Sequence, residues 1–559
     1  SSDMDERTLR EIYFPAFETA VKKAQPWTVM CSYNLINGEY SSENDNLLNK
    51  VLRDEWGFKG YVMSDWGAVN DRVKGLAAGL DLEMPSSGGL NDAKIVEAVK
   101  NGTLDERILD TAVKRILEQV YRYRDVKGGE HTFDRGIDHK KAAEIAKECM
   151  VLLKNDGALP LPSGGAKIAF IGAFAKNPRI QGGGSSHINT RNISNALESA
   201  AKYAEISYAE GYEREANDTN PALLEEAVQL AADSDVAVIF AGLPDSFESE
   251  GYDRKHMRMP DCQNELIDEI CKVQENIIVV LHNGSPVEMP WNDKVSAVLE
   301  VYLSGEATGE ATADILFGKA NPCGKLAETI PMKLSDTPCY LTFPGDRHAE
   351  YNEGVFVGYR YYDKKEMAVR YPFGHGLSYT TFEYSDIKLS DTAVGDNDIL
   401  TVNAVITNIG NCAGKETVQL YVADKSGFAV RPEKELKDFI KVELQPGESK
   451  TVTFRLDKRA FSYYHEELGD WYAPNGKYDI MIASSSRDIR LTAEVTHKTS
   501  VKLPFVATEN TVFGEFMDYA EGKATLDLLF SKVAKGLLGG DHFEPEAVRS
   551  MIGSMPLRQ

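Results

Sequence analysis

The sequence predicts a multidomain chain of α/β and β parts, in which two α/β regions precede an all-β one. Three observations carry that prediction. Short apolar runs alternate with amphipathic helical stretches up to about residue 345, the order expected of parallel α/β units. From Tyr384 the pattern changes to short β-runs separated by turns, in which Val402, Ala404 and Ile406 alternate with polar neighbours. The 559 residues, 42% of them hydrophobic, are enough for several separate cores.

In chain order, Asp5 to Lys23 has helical periodicity, with Leu9, Ile12, Tyr13, Phe17 and Val21 near one face. Trp27 to Cys31 reads as a strand and Asn34 to Gly38 as a turn. A helix over Glu43 to Glu55 leads to a strand at Tyr61. A further helix, Asn70 to Gly79, leads to a third strand at Leu80 to Pro85. One long helical region from Asp92 to Tyr123 closes the unit. An eight-stranded barrel needs about 250 residues, and residues 1–125 supply half of that, so this part is either a small open sheet or the back portion of a barrel.

Residues 126–160 form a linker with a helix over Lys140 to Leu153. Residues 161–345 hold strands at Ile168 to Gly172, Val236 to Gly242, Ile277 to His282 and Val298 to Leu303. Helices at Ala222 to Ala232, Gln263 to Gln274 and Gly309 to Phe317 alternate with them. Such a sheet should be mainly parallel and covered by helices on both faces. After a connector over 346–383, residues 384–500 carry strands at Leu400 to Thr407, Thr417 to Val422, Phe439 to Leu444, Thr451 to Leu456 and Tyr478 to Ile482, a β-sandwich pattern. The tail, 501–559, places Phe513, Phe516, Met517, Leu528, Leu529 and Val533 at helical spacing and is expected to dock on the body.

Sixty-two basic residues against 86 acidic ones give a net charge of −24, a surface that repels nucleic acid and anionic lipid. Neither is an expected partner, and a homodimer is compatible with the sequence. The seven cysteines are scattered without a CxxC pair, so neither a disulfide framework nor a zinc site is indicated, and a reducing, cytoplasmic compartment is favoured. Any targeting segment would lie upstream of Ser1.

The chemistry concentrates in two places. In Gly60-Tyr61-Val62-Met63-Ser64-Asp65-Trp66-Gly67 an apolar run ends in a carboxylate, an aromatic ring and a glycine. Asp65 therefore sits where a strand runs out, at the end from which α/β barrels project their reactive groups. Capping of the next helix is the competing role for such an aspartate. The second place is Glu248 to Arg254, on the loop after the strand Val236 to Gly242, where open α/β sheets hold ligands, although a solvated charged loop has the same composition. Two carboxyl groups from different domains, meeting at a cleft, would suit glycoside hydrolysis, in which one attacks the sugar carbon and the other protonates the departing oxygen. Gln181 to His187 is glycine-rich but lacks a phosphate-binding signature, so it reads as a loop near that cleft.

These residues resemble glycoside hydrolase family 3, in its bacterial β-glucosidase branch. The resemblance rests on Val29 to Asn34, Gly60 to Trp66, Ala78 to Pro85, Gln181 to His187, Glu250 to Arg254 and Tyr371 to Tyr379. It implies the C-terminal part of a (β/α)8 TIM-like barrel, an α/β sandwich and a fibronectin type III-like domain. It implies Asp65 as nucleophile, Glu250 as general acid/base, and Trp66, Tyr33, Met30 and Ser185 as sugar contacts, with Tyr33 also bonded to the nucleophile. No metal or cofactor is implied, and the substrate is a small β-glucoside or oligosaccharide, with β-xylosides close behind. For the proton transfers, Asp65 should be held ionised and Glu250 should have a raised pKa. The family's upstream sugar-gripping residues do not occur in this sequence, so a truncated chain of low activity is the expectation. A non-catalytic carbohydrate-binding protein is the reading from another class, and a nucleotide-binding protein is disfavoured by the poor glycine motif.

Overall fold

The computed structural model describes residues 1–126, 128, 132–503, 507–517, 522, 524–525 and 553–558. The chain divides into two compact units, residues 1–464 with 471–499, and residues 465–470 with 500–559.

In the first unit, strand β1 (Thr28–Met30) pairs in parallel with β2 (Tyr61–Met63), Met30 lying opposite Met63. The third expected strand is reduced to one parallel bridge, Met63 to Leu82. Val62 and Leu80 are fully buried among Leu48, Val51 and Trp56, so the apolar content of the strands is what fixes this layer. The helix after β2 spans Arg72–Ala78, and Asp71 caps it by accepting from the N–H groups of Val73 and Lys74. The single helix expected over Asp92 to Tyr123 is two, Leu90–Lys100 and Glu106–Val126. The break falls at Gly102, whose φ of +77° ends the first of them in a left-handed turn.

Beneath β2 the Asp81 carboxylate is buried between two guanidinium groups, Arg53 at 2.6 Å and Arg115 at 3.0 Å, and also accepts the Val62 N–H at 2.8 Å. Arg72, itself buried, donates to the carbonyls of Leu80 and Asp81. Removing one partner of such a cluster strands the others without solvent. Asp81→Ala is therefore expected to lower stability by about 3–5 kcal/mol, read from urea denaturation. A loss below ~1 kcal/mol would show that water reaches the pair.

The larger sheet has six strands, β3 (Val151–Asn155), β4 (Ile168–Ile171), β5 (Ile206–Ala209), β6 (Val236–Gly242), β7 (Ile277–His282) and β8 (Ala297–Glu300), in the order β3-β8-β7-β6-β4-β5. All neighbours are parallel except β3 with β8. Every residue of β6 and β7 is buried, as expected of strands covered on both faces. The helix expected over Lys140 to Leu153 corrects to Arg135–Cys149, and Val151 to Leu153 enter the sheet as its antiparallel edge. Strand β5 was not anticipated, because Ile206 to Ala209 is only four residues long and Ser207 interrupts its apolar run.

The β-sandwich packs a three-stranded sheet (Phe382–Leu389, Leu400–Asn408, Ser449–Leu456) against a five-stranded one over a core of Val402, Ile406, Leu420, Phe454, Tyr478 and Ile480. In the second unit Phe513–Met517 is helical and Val512 bridges Pro556. Leu528, Leu529 and Val533 lie outside the described residues. No helix among the described residues is long and apolar enough to cross a membrane.

Candidate active site

Strand β2 ends one residue before a pinned turn. The buried Ser64 Oγ accepts the Met84 N–H at 2.8 Å and donates to the Met84 carbonyl at 3.1 Å. That carbonyl also accepts the Gly67 N–H at 3.0 Å, while Ala68 N–H closes on the Asp65 carbonyl at 3.1 Å. The φ of +85° at Gly67 suits glycine. Asp65 is thereby held at the carboxyl edge of the strand pair. Helix capping, the competing role for this carboxylate, belongs to Asp71 instead.

Two donors converge on one oxygen of Asp65. The Tyr33 hydroxyl, brought in by the loop after β1, donates to Oδ1 at 2.9 Å, and the Trp66 N–H donates to the same atom at 2.7 Å. That bond raises the Tyr33 pKa, so the phenol stays a proton donor. The rings of Tyr33 and Trp66 are each more than half exposed and flank the carboxylate as open walls. Met30 is equally exposed, and it also lines an apolar cavity of about 260 Å³ together with Phe14, Leu52 and Trp56.

The second carboxyl comes from the loop after β6. Arg179, only 1% exposed, anchors that loop. It donates to Asp245 at 2.9 Å, to the Leu243 carbonyl at 3.1 Å, and to the Glu248 side chain and carbonyl at 2.5 and 2.7 Å. Glu248 is further fixed by the Gly284 N–H at 2.9 Å and by the Ser285 hydroxyl. Sequence reading singled out Glu248 only as one acid in a charged loop and missed Arg179 and Ser285, since nothing local marks them as its partners.

Two residues beyond Glu248, Glu250 is exposed and accepts the Ser185 N–H from the glycine-rich loop. The glycines allow this approach. A Cβ on Gly184, where φ is +86°, would stand 2.3 Å from Glu250 Oε2. So Gln181 to His187 works here as a contact surface for the Glu250 loop.

The two carboxyls are close enough to act on each other's surroundings. The charge of Asp65 pushes the Glu250 pKa up, and both carboxylates push up that of Tyr33. The net result at Glu250 is nevertheless opposite to the expected one. The Ser185 backbone and side chain, donating to the carboxylate, hold its pKa below the ordinary value, outweighing the slight desolvation and the Asp65 charge that push it up. Ser185→Ala leaves the backbone donor but removes the side-chain one, so the Glu250 pKa should rise. The alkaline limb of the kcat/KM–pH profile, where a general acid loses its proton, is then expected to move to higher pH. A limb that stays put or moves down would remove Ser185 from this role.

Among the described residues no group of three or more His, Cys, Asp or Glu side chains is arranged to hold a metal ion.

Comparison with known proteins bears on this arrangement. Residues 1–119 match the glycosyl hydrolase family 3 N terminal domain, 150–379 the glycosyl hydrolase family 3 C-terminal domain, and 416–486 a fibronectin type III-like domain. The chain is 53% identical to thermostable beta-glucosidase B of Acetivibrio thermocellus over 99% of its own length and 74% of that protein's. It is 45% identical to an exo-alpha-(1->6)-L-arabinopyranosidase of Bifidobacterium breve, over 91% of this chain and 68% of the other. The structure resembles the crystal structure of a Bifidobacterium adolescentis GH3 beta-glucosidase with a TM-score of 0.89 at 45% identity, covering 94% of this chain and 77% of that one.

Proposed function

The chain belongs to glycoside hydrolase family 3, and from that premise we propose that it hydrolyses terminal β-D-glucosyl residues of small β-glucosides with retention of configuration. Asp65 attacks the anomeric carbon while Glu250 gives its proton to the departing oxygen, leaving a glucosyl ester on Asp65. Glu250, now ionised, takes a proton from water as that water attacks the same carbon and frees the aspartate. Trp66 and Tyr33 wall the sugar, and Ser185 reaches it from the glycine loop.

The observation that carries this reading is the convergence of two carboxyls from different sheets. One is bonded by Tyr33 and the Trp66 backbone, the other by Ser185, and they are near enough to interact. The glycine-rich loop and the Glu250 loop both follow strands of the larger sheet, so one edge supplies the acid and its partner.

The test is a 2-deoxy-2-fluoro-β-glucosyl donor carrying a dinitrophenolate leaving group. Its fluorine slows the second step, so the ester accumulates and peptide mass spectrometry locates the sugar. A fluoroglucosyl adduct on Asp65 is the expected result. An adduct on another residue, or none under conditions where an aryl glucoside is hydrolysed, would overturn the assignment.

One relative favours a second substrate. Because the Bifidobacterium breve protein is an arabinopyranosidase, aryl α-L-arabinopyranosides belong beside aryl β-glucosides and β-xylosides in the same assay. A kcat/KM at least about tenfold higher for the glucoside, ~1.4 kcal/mol in the transition state, is expected. The reverse order would reassign the sugar while leaving the mechanism in place.

A further inference from the structure

A cavity of about 600 Å³ lies beside Ser285 and Arg254, and neither Asp65 nor Glu250 lines it. Its volume is in the range that takes small ligands. Its walls combine aromatic rings with unused polar groups, the composition of a recognition site. Tyr359 and Phe373 are stacked with centroids 4.8 Å apart, and Tyr362 stands beside them. Thr329 is 7% exposed, and its hydroxyl has no hydrogen-bond partner among the described residues. The same holds for Arg254 Nη2 and His256 Nδ1, while Arg360 Nε has a long ion pair with Glu435 at 4.0 Å and no hydrogen bond. Burying such groups without partners costs free energy that a bound ligand would recover.

The lining also selects among ligands. Two guanidinium groups offer donors, and the Glu328 carboxyl, whose pKa burial pushes up to about 7, offers acceptors and, when protonated, a donor. A phosphate would satisfy the arginines but, with one or two protons to give, would meet few of the acceptors in the lining. The hydroxyls of a sugar both donate and accept, and a pyranose carries apolar C–H faces for the rings.

Arg254 links this cavity to the acid loop, being four residues beyond Glu250. Its Nη1 donates to Ser285 Oγ at 2.9 Å and to the Pro286 carbonyl at 2.7 Å, and Ser285 in turn donates to Glu248. Whatever engages Arg254 therefore acts on the network that anchors Glu248 and the Glu250 loop.

We propose that this cavity is a second saccharide site, which takes a neutral pyranose and modulates turnover through Arg254, Ser285 and Glu248. The binding half stands by itself, and the modulation half rests on the role given to Glu250 above. Glucose is the probe, followed by calorimetry on the protein with its Asp65 site blocked by the fluoroglucosyl adduct. One remaining glucose site per chain is expected. Ala327→Trp, which fills the cavity from its rim, should abolish that site. Thr329→Val should weaken it about three- to tenfold without loss of stability, because it removes a hydroxyl that the protein itself does not use.

Absence of glucose binding in the blocked protein, binding untouched by both substitutions, or phosphate bound in place of glucose would overturn the site. In the unblocked enzyme, glucose should change the rate with a component that does not compete with substrate and that vanishes in Ala327→Trp. Purely competitive inhibition, identical in both proteins, would overturn the modulation. If the adduct does not form, the catalytic assignment fails, and glucose binding sensitive to Ala327→Trp still decides the cavity.

Discussion

Asp65→Ala is expected to lower kcat on a dinitrophenyl β-glucoside by about four decades or more, equivalent to ~5.5 kcal/mol of barrier. The substitution removes the atom that bonds to the sugar, which no neighbouring group can replace. Tyr33 keeps its hydroxyl but loses its acceptor, and Trp66 N–H loses the same oxygen. Both bonds are exposed to water, so their loss should cost folding only about 1 kcal/mol each at most. The variant is therefore expected to be folded and inactive. Azide separates a lost nucleophile from a damaged site, since it fits the space left by the carboxylate and attacks from the same face. Restored turnover with formation of the α-glucosyl azide is the expected result. Activity above about one per cent of wild type without azide, or rescue giving the β-azide, would take the nucleophile's role away from Asp65.

How far this site could be read beforehand differs between its halves. Asp65 was legible because a short apolar run, a carboxylate, an aromatic ring and a glycine follow one another directly, and Val62 and Met63 read as the end of the buried strand that positions them. Tyr33 came only with the family resemblance, and the structure supplies its physical reason, since parallel pairing brings the ends of Thr28–Met30 and Tyr61–Met63 to one edge. The support under Glu250 was not legible. Arg179 and Glu248 are 69 positions apart, and their pairing is set by the order of strands in the sheet. No local pattern encodes that order. The strand Val151–Asn155 escaped for a related reason. Its apolar run directly follows a helix, and only its partner near Val298, more than a hundred residues on, selects extended backbone. The raised pKa expected of Glu250 failed on a matter of exposure. Sequence supplies the carboxyl and its glycine-rich neighbour, but whether solvent reaches them is decided by packing.

The second large effect is expected at Glu250, and its signature is a dependence on the leaving group. Glu250→Ala removes the proton donor of the first step and the base of the second. A dinitrophenolate departs without protonation, so the first step on that substrate should slow little while the second slows strongly, producing a burst followed by a low steady rate. For methyl β-glucoside, whose alkoxide must be protonated, kcat/KM should fall about 10²- to 10⁴-fold. Azide, attacking the sugar ester without need of a base, should restore turnover and yield the β-glucosyl azide. Glu248→Gln tests the support beneath it. It keeps the shape but takes the charge from a site where Arg179 is buried. The Glu250 loop then loses its anchor, and the same leaving-group dependence should appear in weaker form. A uniform fall across both substrates would instead assign Glu248 and Arg179 to the fold alone. An equal fall for Glu250→Ala on both substrates would place the proton donor elsewhere.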